Sequence, residues 1–171
     1  AFVLAYAYSW KLKKVVLLGN VVVSLLTGLT IIYGGISSGS VKFDVLIASL
    51  FAFLLNLGRE FIKGIEDVEG DRRYNVNTLA IVFGLKVAYT ASVLVFITLI
   101  CLSVVPYIIF GYSIYYLVMA VIGVDVVVAL SLIRASSLNP KDALKASRML
   151  KVAAFCGITA FLVNALSVGS L

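Results

Sequence analysis

Five apolar runs decide what this chain can become. Val15 to Tyr33 carries no formal charge over 19 residues, and runs with few or no charges follow at Val41 to Leu57, Ala88 to Val105, Ile114 to Ile133 and Val152 to Val168. A helix needs about 20 predominantly apolar residues to cross the hydrocarbon of a bilayer, so each run is read as a membrane span. Ala1 to Tyr8 has the same character and reads as the tail of one more helix. The expected fold is all-α, a polytopic transmembrane helix bundle of five full spans plus the end of a sixth. Short connections make sequence neighbours antiparallel.

Composition agrees. Of 171 residues, 63% are hydrophobic and only 13% charged, about half the charge content of a soluble domain. The formal net charge of +6 therefore points to cytoplasmic loops rather than to nucleic acid, because membrane proteins concentrate Lys and Arg on that side. Histidine is absent, which removes His-based catalysis and argues against a transition-metal site. Cys101 and Cys156 lie in apolar runs with no partner motif and read as packing residues. The chain opens on Ala1, already mid-helix in character and with no charged leader, so it is expected to be part of a longer protein.

Against this background one stretch stands apart. Arg59 to Thr78, REFIKGIEDVEGDRRYNVNT, holds five of the eight acidic residues of the chain between Glu60 and Asp71, interleaved with Arg59, Lys63, Arg72 and Arg73. If the preceding helix continues, Arg59, Lys63, Asp67 and Asp71 recur at i+4 and form one stripe. Carboxylates one turn apart can share a hard divalent cation such as Mg²⁺, which usually bridges to substrate phosphates. Lys63 and Arg59 suit phosphate oxygens directly. The plainer alternative is a solvated helix laced with Glu–Lys pairs. Gly64 and Gly70 weaken that alternative, since neither favours a helix kept for propensity.

The basic residues orient the bundle. Thirteen of the fourteen, all but Lys42, fall in loops on one side, which places the charged stretch on the cytoplasmic face. The loop Tyr8 to Lys14, with Trp10, Lys11, Lys13 and Lys14, shares that face, either as an ordinary interfacial anchor or as a second bank of cations. Asp125 lies inside a span, where an unpaired carboxylate is costly; a functional role and a pairing with a Ser, Tyr or Asn are both open. Asn56 sits one turn before Glu60. Asn164 reads as interhelical glue, Gly28, Gly34, Gly35 and Gly157 as close-packing sites, and Arg148 and Lys151 as snorkelling residues. Pro106 to Tyr112 is expected to turn the chain, with Tyr107, Tyr112, Tyr115 and Tyr116 as an aromatic belt. Arg134 to Lys151 is expected to be a polar loop.

Asp67-Val-Glu-Gly-Asp71, within IEDVEGDRRYNVNTLAIVFG, resembles the second aspartate-rich motif of the UbiA-type intramembrane prenyltransferases. The longer string REFIKGIEDVEGD and the basic loop YSWKLKKVVLLGN are similar to the branch that serves archaeal ether-lipid synthesis. The resemblance covers the whole chain, residues 1–171, as a single transmembrane prenyltransferase domain: the C-terminal portion of a nine-helix fold. The family's first motif, N-D-x-x-D-x-x-x-D, has no counterpart in this sequence, and the N-terminal helices that would carry it are expected upstream in the same protein.

The resemblance implies a Mg²⁺-dependent enzyme that ionises an allylic isoprenyl diphosphate, such as a geranylgeranyl donor, and passes the prenyl group to an acceptor hydroxyl. In that branch the acceptor is a prenylated glycerol phosphate. It implies Asp67 and Asp71 as metal ligands and, with Lys63, as catalytic residues. Arg59, Lys63, Lys11, Lys13, Asn56 and Arg72 become candidate contacts for substrate, and membrane lipid a partner. The implied setting is a multi-pass protein of the cell membrane with its site toward the cytoplasm. Two alternatives stand beside it: a related enzyme with an aromatic or tetrapyrrole acceptor, and a non-enzyme transporter or channel half.

Overall fold

The computed structural model describes residues 16–39 and 42–169. Hydrocarbon offers backbone amides no water to bond with, so a chain this apolar must satisfy them internally, and helices do so within one segment. Among the described residues the structure is helical, with no strand. Helix α1 is Leu18–Ser37 and α2 is Phe43–Glu66. Two short helices, α3 (Val68–Arg73) and α4 (Leu79–Val82), carry the charged stretch. Helix α5 (Leu85–Ser103) is followed by α6 (Val105–Phe110). Helix α7 (Ile114–Ala135) contains a π-helical segment at Met119–Asp125, and α8 is Pro140–Gly169.

Five helical segments are long and apolar enough to cross a membrane: Leu18–Ser37, Phe43–Glu66, Leu85–Phe110, Ile114–Ala135 and Pro140–Ser167. These match the five full spans expected. Two boundaries differ. The helical run from α5 continues through α6, and the turn comes only at Gly111, whose φ of 67° ends it in the left-handed region. Pro106 at the start of α6 does not stop the run, because a first-turn N–H has no intrahelical partner to lose. The expected polar loop before the last span is mostly helix, since α8 begins at Pro140, again a favoured first position.

Helix α2 lies at the centre, packed against α1, α5 and α8, while α8 also packs along α7. Lipid tails are as apolar as leucine, so association depends on close fit and interhelical polar contacts. Gly28 and Ser49 illustrate both: Ser49 Oγ donates to the Gly28 carbonyl at 2.9 Å. A Cβ on Gly35 would press on Val45, and one on Gly58 would strike Phe96. Gly34, by contrast, has open space around it, and Gly157 meets only Val124 at 3.7 Å, so neither is the tight contact its sequence setting suggests. Gly123, against Cys156, is tight instead. Cys156 thus packs as expected, whereas Cys101 is exposed on the outer surface of the bundle.

The aromatic belt divides. Tyr107 and Tyr115 are exposed, but Tyr112 and Tyr116 are buried in a second core cluster with Ala120 and Ala160. Asn164 bridges helices as read, accepting from the Ser113 backbone N–H at 2.8 Å.

A candidate prenyl-transfer site at the charged end of the bundle

The i+4 stripe forms, with one interruption. Helix α2 carries Arg59 and Lys63 to its last turn and stops at Glu66; Asp67, at φ −90° and ψ 4°, is the joint between α2 and α3. The helical path survives the joint because the Asp71 N–H donates to the Asp67 carbonyl at 2.8 Å. Asp71 therefore follows Asp67 by one turn. The Val76 N–H then donates to the Asp71 carbonyl at 2.9 Å, and Asn75 at φ 52° turns the chain back toward α4.

Lys63 Nζ is ion-paired with Asp67 Oδ2. The two side chains are 38% and 41% exposed, so the pair contributes under about 1 kcal/mol and a stronger cation displaces it at little cost. Asp71 is half-buried, while Arg72 and Glu69 are exposed. Among the described residues no group of three or more His, Cys, Asp or Glu side chains could hold a metal. Two carboxylates a turn apart nonetheless fit Mg²⁺, which is commonly bound by one or two protein carboxylates with water and phosphate completing its octahedron. They make a partial site.

Arg59 Nη1 contacts Glu60 Oε1 at 3.3 Å, and Arg59 Nε is buried with no partner. A buried guanidinium nitrogen without an acceptor costs stability and is ready for an incoming anion. Asn56 Nδ2 donates to Ser24 Oγ at 3.4 Å. Glu66, next to the joint, accepts a 2.6 Å hydrogen bond from Ser147 Oγ on α8. Lys11 and Lys13 lie outside the described residues.

Two of these groups, Asn56 and Arg59, border a cavity of about 710 Å³. Ala48, Phe51, Ala52, Leu55, Asn56 and Arg59 line it from α2, a stripe at three- and four-residue spacing that ends in the polar pair. Lys151 and Phe161 mark its two ends on α8. At 1.5 Å per residue the chamber runs about 15 Å along the helices, polar at one end and apolar beyond. The structure thus brings Arg59 and Asn56 to the chamber, places Lys63, Asp67 and Asp71 further along the same helical path, and leaves Arg72 on the surface. The sequence does not announce the Ser147–Glu66 bond, although Ser147 sits on the α8 face that also carries buried Ala146, Leu150 and Ala153 and that small-residue periodicity was the available signal; Lys151, read as a snorkelling residue, is exposed and borders the chamber.

An apolar chamber in a membrane bundle, with carboxylates and cations gathered at one end, has the polarity that suits an amphiphile with an anionic head. The chain belongs to the UbiA prenyltransferase family, whose sequence profile matches residues 1–155. Similar proteins include the digeranylgeranylglyceryl phosphate synthases of Sulfolobus acidocaldarius (36% identical over 166 residues, 97% of this chain and 59% of that protein) and Hyperthermus butylicus (41% over 175 residues, 94% and 58%). A solved structure described as a digeranylgeranylglyceryl phosphate synthase in membranes superposes with a TM-score of 0.87 at 30% identity, covering 96% of this chain and 58% of that one. The chain therefore spans less than three-fifths of the length of these relatives. Family and helices together make it an integral membrane protein. Family membership also removes the transporter alternative, and apart from Lys42, Asp44 and Asp125 the charges of the described residues gather at one end of the bundle.

Proposed function

We infer that this chain is the C-terminal portion of an enzyme that transfers a geranylgeranyl group from its allylic diphosphate to the hydroxyl of geranylgeranylglyceryl phosphate, with Mg²⁺, at the cytoplasmic face of the cell membrane. The observation that carries the reading is the position of the Asp67–Asp71 pair, one turn apart on the helical path that also lines the apolar chamber through Arg59 and Asn56. The names of the relatives over nearly the whole chain support the choice of substrates.

The physical demands of the reaction match what these residues offer. Breaking the allylic C–O bond leaves negative charge on diphosphate, and preorganised cations stabilise that charge. Bound Mg²⁺ supplies Lewis-acid neutralisation of the leaving group; Asp67 and Asp71 would hold it, with further ligands from the N-terminal portion of the protein. Lys63, paired with Asp67 in this structure, would be free to turn to a phosphate oxygen were that carboxylate to hold a metal. Arg59 offers its unpartnered Nε, and Lys11, Lys13 and Arg72 are further cations for either phosphate head. The chamber excludes water from the prenyl cation until the acceptor hydroxyl attacks, and the hydroxyl proton passes to the released diphosphate as the ether bond forms.

The test is transfer by the full-length protein from labelled geranylgeranyl diphosphate to geranylgeranylglyceryl phosphate, with and without Mg²⁺, for the native enzyme and Asp67→Ala. Expected is metal-dependent ether formation that Asp67→Ala abolishes. Full activity in the variant sinks the assignment, and transfer only to a hydroxybenzoate or other aromatic acceptor moves the enzyme to another branch of the family.

A further inference from the structure

The chamber has a second end, and it is built differently from the first. Phe161 of α8 and Tyr116 of α7 face one another there with ring centroids 5.3 Å apart, and Tyr112 stacks edge-on to Tyr116 at 4.9 Å and to Phe161 at 6.1 Å. Phe51 of α2 completes the cluster, 6.0 Å from Phe161. Phe51, Tyr116 and Phe161 all line the chamber. These rings wall its far end.

Each hydroxyl in this wall is tied to a different helix. Tyr112 donates to Asp44 Oδ1 of α2 at 2.5 Å, and Tyr116 donates to the Ser103 carbonyl at the end of α5 at 3.1 Å. Ser103 Oγ in turn donates to Asp125 Oδ2 at 2.7 Å, and Asp125 closes the π-helical segment of α7. A π-bulge shifts side chains relative to an α-helix and is common at functional sites. Tyr116, Ser103 and Asp125 lie within spans, where polar groups are expensive unless paired. These bonds tie the two tyrosine rings to neighbouring helices, and Phe161 packs edge-on against both.

Resting on the prenyltransferase reading, we propose that this ring cluster measures the length of an isoprenoid tail: Phe161 and Tyr116 are specificity-determining residues that the last isoprene unit abuts, and Ser103, Asp125 and Asp44 are positioning residues that hold the rings. The tail belongs to the diphosphate donor or to the prenylated acceptor, both of which end in the same hydrocarbon. Truncating Phe161 lengthens the chamber. Filling it midway shortens it, and Gly157 offers the place, because it lines the chamber and a Cβ there meets only Val124 at an ordinary 3.7 Å.

The experiment uses the full-length enzyme and reads ratios of kcat/KM. In one arm the donor is farnesyl, geranylgeranyl or geranylfarnesyl diphosphate with a constant acceptor; in the other the acceptor's tail is varied over the same lengths with a constant donor. Phe161→Ala is expected to shift preference toward the tail one isoprene unit longer by about tenfold or more, the scale on which a pocket discriminates added methylenes. Gly157→Val is expected to shift it toward the shorter tail. The arm that responds identifies whose tail reaches the wall. Asp125→Ala, which removes the acceptor of the Ser103 hydroxyl, is expected to broaden the length preference while transfer of the native chain persists, a readout that mere helix adhesion would not move. Unchanged ratios in both arms, in variants that still transfer a prenyl group, overturn the proposal and leave the prenyltransferase reading intact. Absence of transfer by the native enzyme with every donor overturns that reading instead.

Discussion

Gly58 offers the sharpest test of how the site is held. It lies on α2 immediately before Arg59, and a Cβ built there would stand 2.5 Å from Cζ, 2.6 Å from Cε1 and 2.9 Å from Cε2 of Phe96. Carbon atoms pack comfortably at about 3.5 to 4.0 Å, so even a methyl group forces a displacement of about 1 Å. Phe96 is 0% exposed and has nowhere to retreat. Gly58→Leu should therefore cost at least about 2 kcal/mol, within the range of overpacking and beyond what improved helix propensity returns. Phe96→Ala alone should cost about 3 to 5 kcal/mol through the cavity it leaves. Together the leucine fills the void, and the double variant should recover about 1 to 3 kcal/mol relative to the sum of the singles. Equilibrium unfolding of the full-length protein in mixed micelles measures all four corners of the cycle. Prenyl transfer should follow the same pattern, since the displaced helix carries Arg59 and Lys63. Additive losses, or a single variant within about 0.5 kcal/mol of the native protein, would refute the account of α2 and α5 as a tightly keyed pair.

Three further outcomes follow from the site and its supports. Asp71→Asn should lower kcat/KM by about a hundredfold or more, the scale of losing one preorganised electrostatic group, and chelation followed by Mg²⁺ should abolish and restore activity in the native enzyme, as read by product formation. Ser147→Ala removes the donor to Glu66 beside the Asp67 joint; unfolding titrations should show a loss of about 1 to 3 kcal/mol, with KM for the diphosphate rising more than kcat falls. Burial, reinforced by the hydrogen bond to Asp44, raises the Tyr112 hydroxyl well above the ordinary tyrosine value. The unfolded chain then sheds this proton first, so the native state loses stability as pH climbs beyond about 10. Tyr112→Phe should flatten that alkaline decline while lowering stability at neutral pH, both visible in thermal melts across pH.

Much of this protein follows from its sequence alone. Runs of span length with few or no charges fix five helices, because a helix satisfies its backbone amides within one segment where hydrocarbon offers no water. The i+4 recurrence of Arg59, Lys63, Asp67 and Asp71 is legible for the same reason, being a property of one helical path, and Lys63 pairs with Asp67 as that spacing requires. Where the chain turns is less legible: Pro106 reads as a breaker and the structure uses it as a helix start. Contacts between distant residues are not legible at all. That Ser103 answers Asp125, Tyr112 reaches Asp44 and Ser147 caps Glu66 depends on helices meeting at particular rotations. Small residues and lipid set those rotations by fit, and a linear pattern of apolar side chains does not encode fit. The sequence determines the charged end of the site; only tertiary packing decides that an apolar chamber lies beneath it, and that buried rings wall its far end.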